Sequence, residues 1–153
     1  GPDEGHYPVI LGEMPGPHLH VYPRYTVVAE KLEALTSLGM LNSRMKDYFD
    51  LWILAKHSDF DGQILSRAVA ATFERRRTAV PTGVPIGLSD EFINDAQKGK
   101  QWQGFLRKNA LDPMSLATVV VDLRDFLMPV LAAIAAGGSH DYPWRAGAGW
   151  QKP

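Results

Sequence analysis

The sequence predicts a mainly α protein: a helical bundle of about five helices preceded by two short N-terminal strands. Three observations predict it. Between residues 24 and 136, apolar residues recur at spacings of three and four, the period of one helix face. The breaks in that pattern hold turn formers, namely Gly39, Asn42-Ser43, residues 59–62, and residues 80–88 with Pro81, Gly83, Pro85 and Gly87. Strand-like patterning is confined to the stretch before residue 24.

That stretch is rich in Pro and Gly and contains two short extended runs, residues 7–11 and 18–22. In the second, His18 and His20 fall on one side and Leu19 and Val21 on the other. Two such strands cannot make an independent sheet, so they read as the edge of a larger one. The chain therefore divides into a strand remnant (1–23), a helical domain (24–136) and a tail rich in Gly, Pro and Trp (137–153).

A first helix is expected over residues 24–38, with Val28, Leu32 and Leu35 on one face and Gly39 as its stop. Asn42-Ser43 offers an N-cap for a second helix, 44–57. Residues 59–62 read as a turn. A third helix, 63–77, buries Ile64, Leu65, Ala68, Val69 and Thr72. After the 80–88 loop, Ser89 opens a short helix that continues or restarts over 97–109, anchored by Trp102, Phe105 and Leu106. Asp112-Pro113 opens the last helix, 114–136, which has the longest apolar stripe and a kink expected at Pro129. Tyr142, Trp144 and Trp150 in the tail suit either an aromatic strap over the core or a loose end.

At 153 residues and 45% hydrophobic, the chain can bury a real core. A net charge of −1 gives no argument for nucleic-acid or membrane binding. The absence of cysteine excludes disulfides, thiolate zinc sites and a cysteine nucleophile, and fits a cytoplasmic protein. No apolar run is long enough for a transmembrane helix. The first residues, Gly1-Pro2-Asp3-Glu4, are neither a signal peptide nor a natural start. They suggest a fragment, a processed product or a Gly-Pro protease scar.

Two neighbouring helices carry the residues with chemistry. In the second, Asp47, Asp50, Leu51 and Leu54 share a face. Carboxylates on an apolar-leaning face are costly unless paired. They mark either a structural ion pair, with Arg44 one turn before Asp47, or a site. In the first helix, Lys31 lies on the face of Val27, Ala34 and Leu38, where a lysine either snorkels to water or offers a charge to a phosphate. An antiparallel helix pair would bring Lys31 near Asp47. Weaker features are His6, His18 and His20 as metal ligands, Arg75-Arg76-Arg77 as a phosphate contact, and Trp102, Phe105, Trp144 and Trp150 as base-stacking surfaces. For the arginines a solvated helix end, and for the aromatics ordinary packing, is the plainer reading. No P-loop, dinucleotide fingerprint or nucleophile triad is present.

The strings Ala29-Glu30-Lys31-Leu32-Glu33-Ala34-Leu35 and Arg44-Met45-Lys46-Asp47-Tyr48-Phe49-Asp50-Leu51 resemble two linked motifs of the AbiEii/AbiGii family of nucleotidyltransferase-like toxins, A-E-K-L-x-A-L and R-x-K-D-x-x-D-L. The resemblance implies the C-terminal part of a polymerase-β-like nucleotidyltransferase. It further implies a toxin of a toxin–antitoxin (abortive-infection) system that moves a nucleotide from a nucleoside triphosphate to an acceptor such as tRNA. By position, Lys31 matches the lysine that contacts the triphosphate. Asp47 matches the acidic residue near the acceptor hydroxyl, as a base or hydrogen-bond partner. Arg44, Lys46 and Asp50 match the same motif as orienting residues of the substrate site.

The family's two earlier motifs are a Gly-Ser/Thr turn that cradles phosphates and a D-x-D pair that holds Mg²⁺. Neither precedes Lys31 here. Mg²⁺ and a nucleoside triphosphate are therefore expected for the full-length protein, while this piece is expected to hold neither tightly and not to turn over. The alternative is a non-catalytic helical module that binds an antitoxin, RNA or a second copy of itself.

Overall fold

The computed structural model describes residues 23–153. The two strands expected at 7–11 and 18–22, with His6, His18 and His20, lie outside the described residues.

Helix α1 (Pro23–Leu38) starts on a proline, whose missing N–H is one that a first helical turn leaves unused. Tyr25, Val28, Ala29, Leu32 and Leu35 face the core. The helix ends at Gly39, which takes φ +53, a conformation that glycine reaches without strain. One turn of 3-10 helix (Gly39–Leu41) leads towards α2 (Met45–His57). The expected Asn42-Ser43 cap is corrected here. Arg44 occupies the N-cap position with no side-chain capping bond, and Asn42 instead accepts the Arg44 N–H on Oδ1 at 2.8 Å. Asn42 thus forms an Asx turn ahead of the helix.

The turn expected at 59–62 is also corrected. Phe60–Asp61 forms strand β1, with Phe60 opposite Trp144. Its partner lies far along the chain, so no local pattern announced it. Asp61 still acts as a turn residue, accepting from the N–H groups of Gln63 and Ile64 and capping α3 (Gly62–Arg75). Helix α3 stops two residues short of the expected Arg77. Arg77 takes φ +57, and the Thr78 N–H reaches back to the Phe73 carbonyl at 2.9 Å, a Schellman ending.

The 80–88 loop closes with a 3-10 turn (Ile86–Leu88). Ser89 caps α4 (Asp90–Asn94), and Asp95 caps α5 (Ala96–Lys108). Helix α6 (Leu116–Ala135) begins after Ser115, two residues later than expected, because the Ser115 hydroxyl rather than Asp112-Pro113 caps it. The helix continues through Pro129. These are six α-helices among the described residues, against about five expected.

The tail is a strap. Strands β2 (Pro143–Arg145) and β3 (Gly149–Trp150) join β1 in an antiparallel sheet of order β1-β2-β3. Trp144 packs on Phe126 with ring centroids 4.7 Å apart and donates its indole N–H to the Ala55 carbonyl at 2.8 Å. Trp150 donates to the Phe126 carbonyl at 3.1 Å. The core beneath is aromatic and aliphatic, with Tyr48, Phe60, Phe73, Phe92, Trp102, Phe126 and Leu123 fully enclosed.

Candidate functional site

The two motif-bearing helices bring their charged residues together. Lys31 Nζ lies 2.8 Å from Asp47 Oδ1 and 3.4 Å from Asp50 Oδ2. Arg44 Nε lies 2.9 Å from the other oxygen of Asp47, one turn earlier on α2. That contact is an ion pair with poor hydrogen-bond alignment, since Asp47 Oδ2 receives no hydrogen bond. Lys46 Nζ is 2.6 Å from Asp50 Oδ2. This hydrogen bond, reinforced by the carboxylate's charge, raises the Lys46 pKa above its ordinary value.

The burial is graded. The Asp47 side chain is 8% exposed and that of Lys31 20%, whereas Arg44 and Lys46 are 57% and 75% exposed. Asp47 is thus the deep point of the site, and Lys31 reaches it from a partly exposed position. Three cations against two carboxylates leave one positive charge. Asp47 also sits in the first turn of α2, where the helix dipole favours a carboxylate.

The first motif divides its residues among three surroundings. Ala29 and Leu32 are core. Lys31 faces α2. Glu30 and Glu33 face α3, where Glu30 pairs with Arg75 and Arg76 and buried Glu33 accepts from the Thr78 hydroxyl at 2.7 Å. Arg75 and Arg76 are therefore engaged by α1, which favours a structural role for them over an RNA contact. The indole N–H groups of Trp102, Trp144 and Trp150 each bond a backbone carbonyl, and Trp102 is fully buried. Trp102 is thus core packing, and Trp144 and Trp150 are held in place by their N–H bonds.

Several participants escape sequence reasoning. Gly87 comes so close that an added Cβ would lie 2.6 Å from the Leu35 carbonyl oxygen, and its own carbonyl accepts the Tyr48 hydroxyl at 2.8 Å. Burial pushes the Tyr48 phenol well above its usual pKa, so it stays a neutral donor. Asn42, marked in the sequence as a turn former, links this region to Arg44, and its carbonyl takes a partner that no local pattern marks. A D-x-D string does occur downstream, Asp59-Phe60-Asp61, but Asp61 caps α3 and Asp59 Oδ1 accepts the Ala146 N–H at 2.8 Å.

The described residues do not fit a magnesium site. Asp47 and Asp50 are both held by cationic side chains, and no group of three or more His, Asp or Glu among the described residues could hold a metal. A cavity of about 750 Å³ lies elsewhere, between the end of α2, α6 and the strap, lined by Ala55, Met128, Pro129, Trp144 and Trp150 among others. Neither Lys31 nor Asp47 lines it. No helix among the described residues is long and apolar enough to cross a membrane.

A lysine set against a buried carboxylate on the neighbouring helix gives the two linked motifs one shared location. Residues 1–128 match a family model described as a nucleotidyl transferase toxin of a type IV toxin–antitoxin system. The chain belongs to that family, the AbiEii toxins. No curated protein and no solved structure matches it.

Proposed function

We propose that this helical body forms one side of a nucleotidyl-transfer site, in which Lys31 contacts the triphosphate and Asp47 orients the acceptor hydroxyl. The observation that supports this is the 2.8 Å contact of a partly open lysine with a buried carboxylate at the junction of the two motifs. In this reading the nucleotide's phosphate oxygens replace Asp47 and Asp50 as partners of the Lys31 ammonium. Arg44 and Lys46, both exposed, add donors at the rim, and Asp50 keeps Lys46 in place.

Asp47, released from Lys31, then accepts the hydroxyl proton of the acceptor, for which tRNA is the class proposed. The acceptor oxygen bonds to the α-phosphorus, the α–β phosphoanhydride bond breaks, and pyrophosphate leaves. The family chemistry uses a divalent ion on the phosphates; the described residues supply no ligands for it, and no step here is routed through it.

Isothermal titration of the chain and of Lys31→Ala with CTP, UTP, GTP and ATP in Mg²⁺ tests the proposal. Binding of at least one nucleotide that is lost in the variant supports it. A wild-type chain that binds none, or a variant that binds equally well, overturns it.

The reading as a module that binds an antitoxin, RNA or itself is favoured by one observation. Leu41 is 85% exposed, and Val84 and Ile86 are about half exposed on the loop beside it. Light scattering of wild type and Leu41→Glu distinguishes self-association, which the charge would abolish, from a lone chain.

A further inference from the structure

We propose that Lys98 is a positioning residue for this site: from α5, its buried ammonium holds the Asn42 carbonyl, and so fixes where α2 begins relative to α1. The inference deepens the nucleotidyl-transfer reading and rests on it for its functional meaning.

A lysine is a poor choice for an enclosed position unless its charge does something there, because desolvating an ammonium is costly. Lys98 is 5% exposed, and no carboxylate pairs with it among the described residues. Its Nζ donates to the Asn42 carbonyl at 2.7 Å and to Gln101 Oε1 at 3.4 Å, and sits 5.4 Å from the Phe92 ring centre. An apolar side chain of similar length would fill the same space without the desolvation. What it could not do is grip a carbonyl.

That carbonyl occupies a decisive position. Residues 39–44 join the lysine-bearing helix to the carboxylate-bearing one, and their conformation sets the offset between them. Asn42 is 1% exposed and tied on three sides. Its N–H donates to the Gly39 carbonyl at 3.1 Å, its Oδ1 accepts from the Arg44 N–H, and its carbonyl accepts from Lys98. The first two bonds hold the linker to itself. The Lys98 bond alone holds it to a third helix.

From Asn42 a connected path leads to the site. Arg44, placed by Asn42 Oδ1, meets Asp47 Oδ2, and Asp47 Oδ1 meets Lys31. The other end of the path is equally fixed. Asp95 Oδ2 accepts the Lys98 N–H at 3.0 Å, and buried Trp102, one turn later, anchors α5 in the core. Lys98 touches no substrate group in this scheme; it acts through Asn42.

Lys98→Met removes the charge and keeps the stem, and Lys98→Arg keeps the charge. Amide hydrogen exchange of the nucleotide-free protein is the first readout, and affinity for the tightest of the four nucleotides is the second. In Lys98→Met, exchange at Arg44 and Asp47 should quicken about tenfold or more, the scale of one charge-assisted hydrogen bond, with Leu65 and Val69 in α3 unchanged. Affinity should fall by a similar factor, and Lys98→Arg should recover much of both.

Lys98→Gln, which removes the charge and shortens the side chain, replaces Lys98→Met if that variant does not fold, and should quicken exchange at Arg44 and Asp47 in the same way. Unchanged exchange at Arg44 and Asp47, or faster exchange spread evenly over the domain, overturns the proposal. Wild-type protein that binds no nucleotide overturns the transfer reading instead, and the exchange pattern still decides whether Lys98 holds the linker.

Discussion

Asp47 holds a different cation on each of its oxygens, and the two partners differ in depth. Lys31 is largely enclosed, whereas Arg44 is more than half exposed. Removing the carboxylate therefore leaves a partly buried ammonium with only its longer contact to Asp50, while removing Arg44 gives up only a solvent-screened contact. We expect Asp47→Ala to lower unfolding free energy by about 2 kcal/mol and Arg44→Ala by less than about 1 kcal/mol, both read from urea denaturation. Equal losses would overturn this difference in depth between the two partners.

His140 makes a second prediction at this scale. Its ring is buried against Trp150 with Nε2 unpartnered. Burial, and secondarily the Lys152 ammonium, hold its pKa below the ordinary value against a smaller pull from Asp141. Below about pH 6.5, the usual histidine value, the unfolded chain takes up a proton that the folded chain resists. This contribution is complete above that pH and is lost as pH falls through the lower, folded value. Melting temperature should therefore drop between pH 7 and pH 5, and less steeply in His140→Gln. Parallel profiles for the two proteins would rule out His140 as the cause.

Among elements, the helices were legible because their apolar residues keep a helical period. Their ends were less so. Glycine at 39 announced a stop, but Arg77 and Ala110 take the same left-handed conformation without a glycine to mark it. The sequence of strand β1 has the pattern of a turn, because its two residues acquire strand character only by pairing with Pro143 and Trp144. The site shows the same division. Lys31 and Asp47 could be placed together because two consecutive helices joined by a short linker put them within reach. The Lys98–Asn42 contact spans 56 positions and follows no period. Gly87 belongs to this less legible class, and its prediction concerns the fit between elements. Gly87→Ala would drive a methyl into the Leu35 carbonyl and against the Tyr48 hydroxyl. We expect a loss of about 1–3 kcal/mol, the range for overpacking, visible as a lower urea midpoint. A neutral result would show that the 86–88 turn can move aside.

At the scale of the whole molecule, the strap joins what the helices alone leave open. Trp144 covers Ala55 and Phe126 and pairs β2 with β1. An added Cβ at Gly62 would lie 2.1 Å from the His140 carbonyl oxygen and 2.4 Å from that of Tyr142, so the strap can seat only over a glycine. Trp144→Ala should cost about 3–5 kcal/mol, as for other buried tryptophans. Gly62→Ala should shift tryptophan emission to the red as the strap lifts. Emission that stays put would mean that the strap tolerates the methyl.

The same strap sets an order of events in folding. Ala55 and Trp144 stand 89 positions apart, so their contact forms only after the intervening helices have drawn the ends together. On the ribosome, α1 to α5 emerge well before Trp144. During that interval β1 has a bare edge and Phe60 lacks its cover, the condition in which a nascent chain is most exposed to aggregation and proteolysis. This places the vulnerable period between the synthesis of Phe60 and that of Trp144, after the two motif-bearing helices have been made.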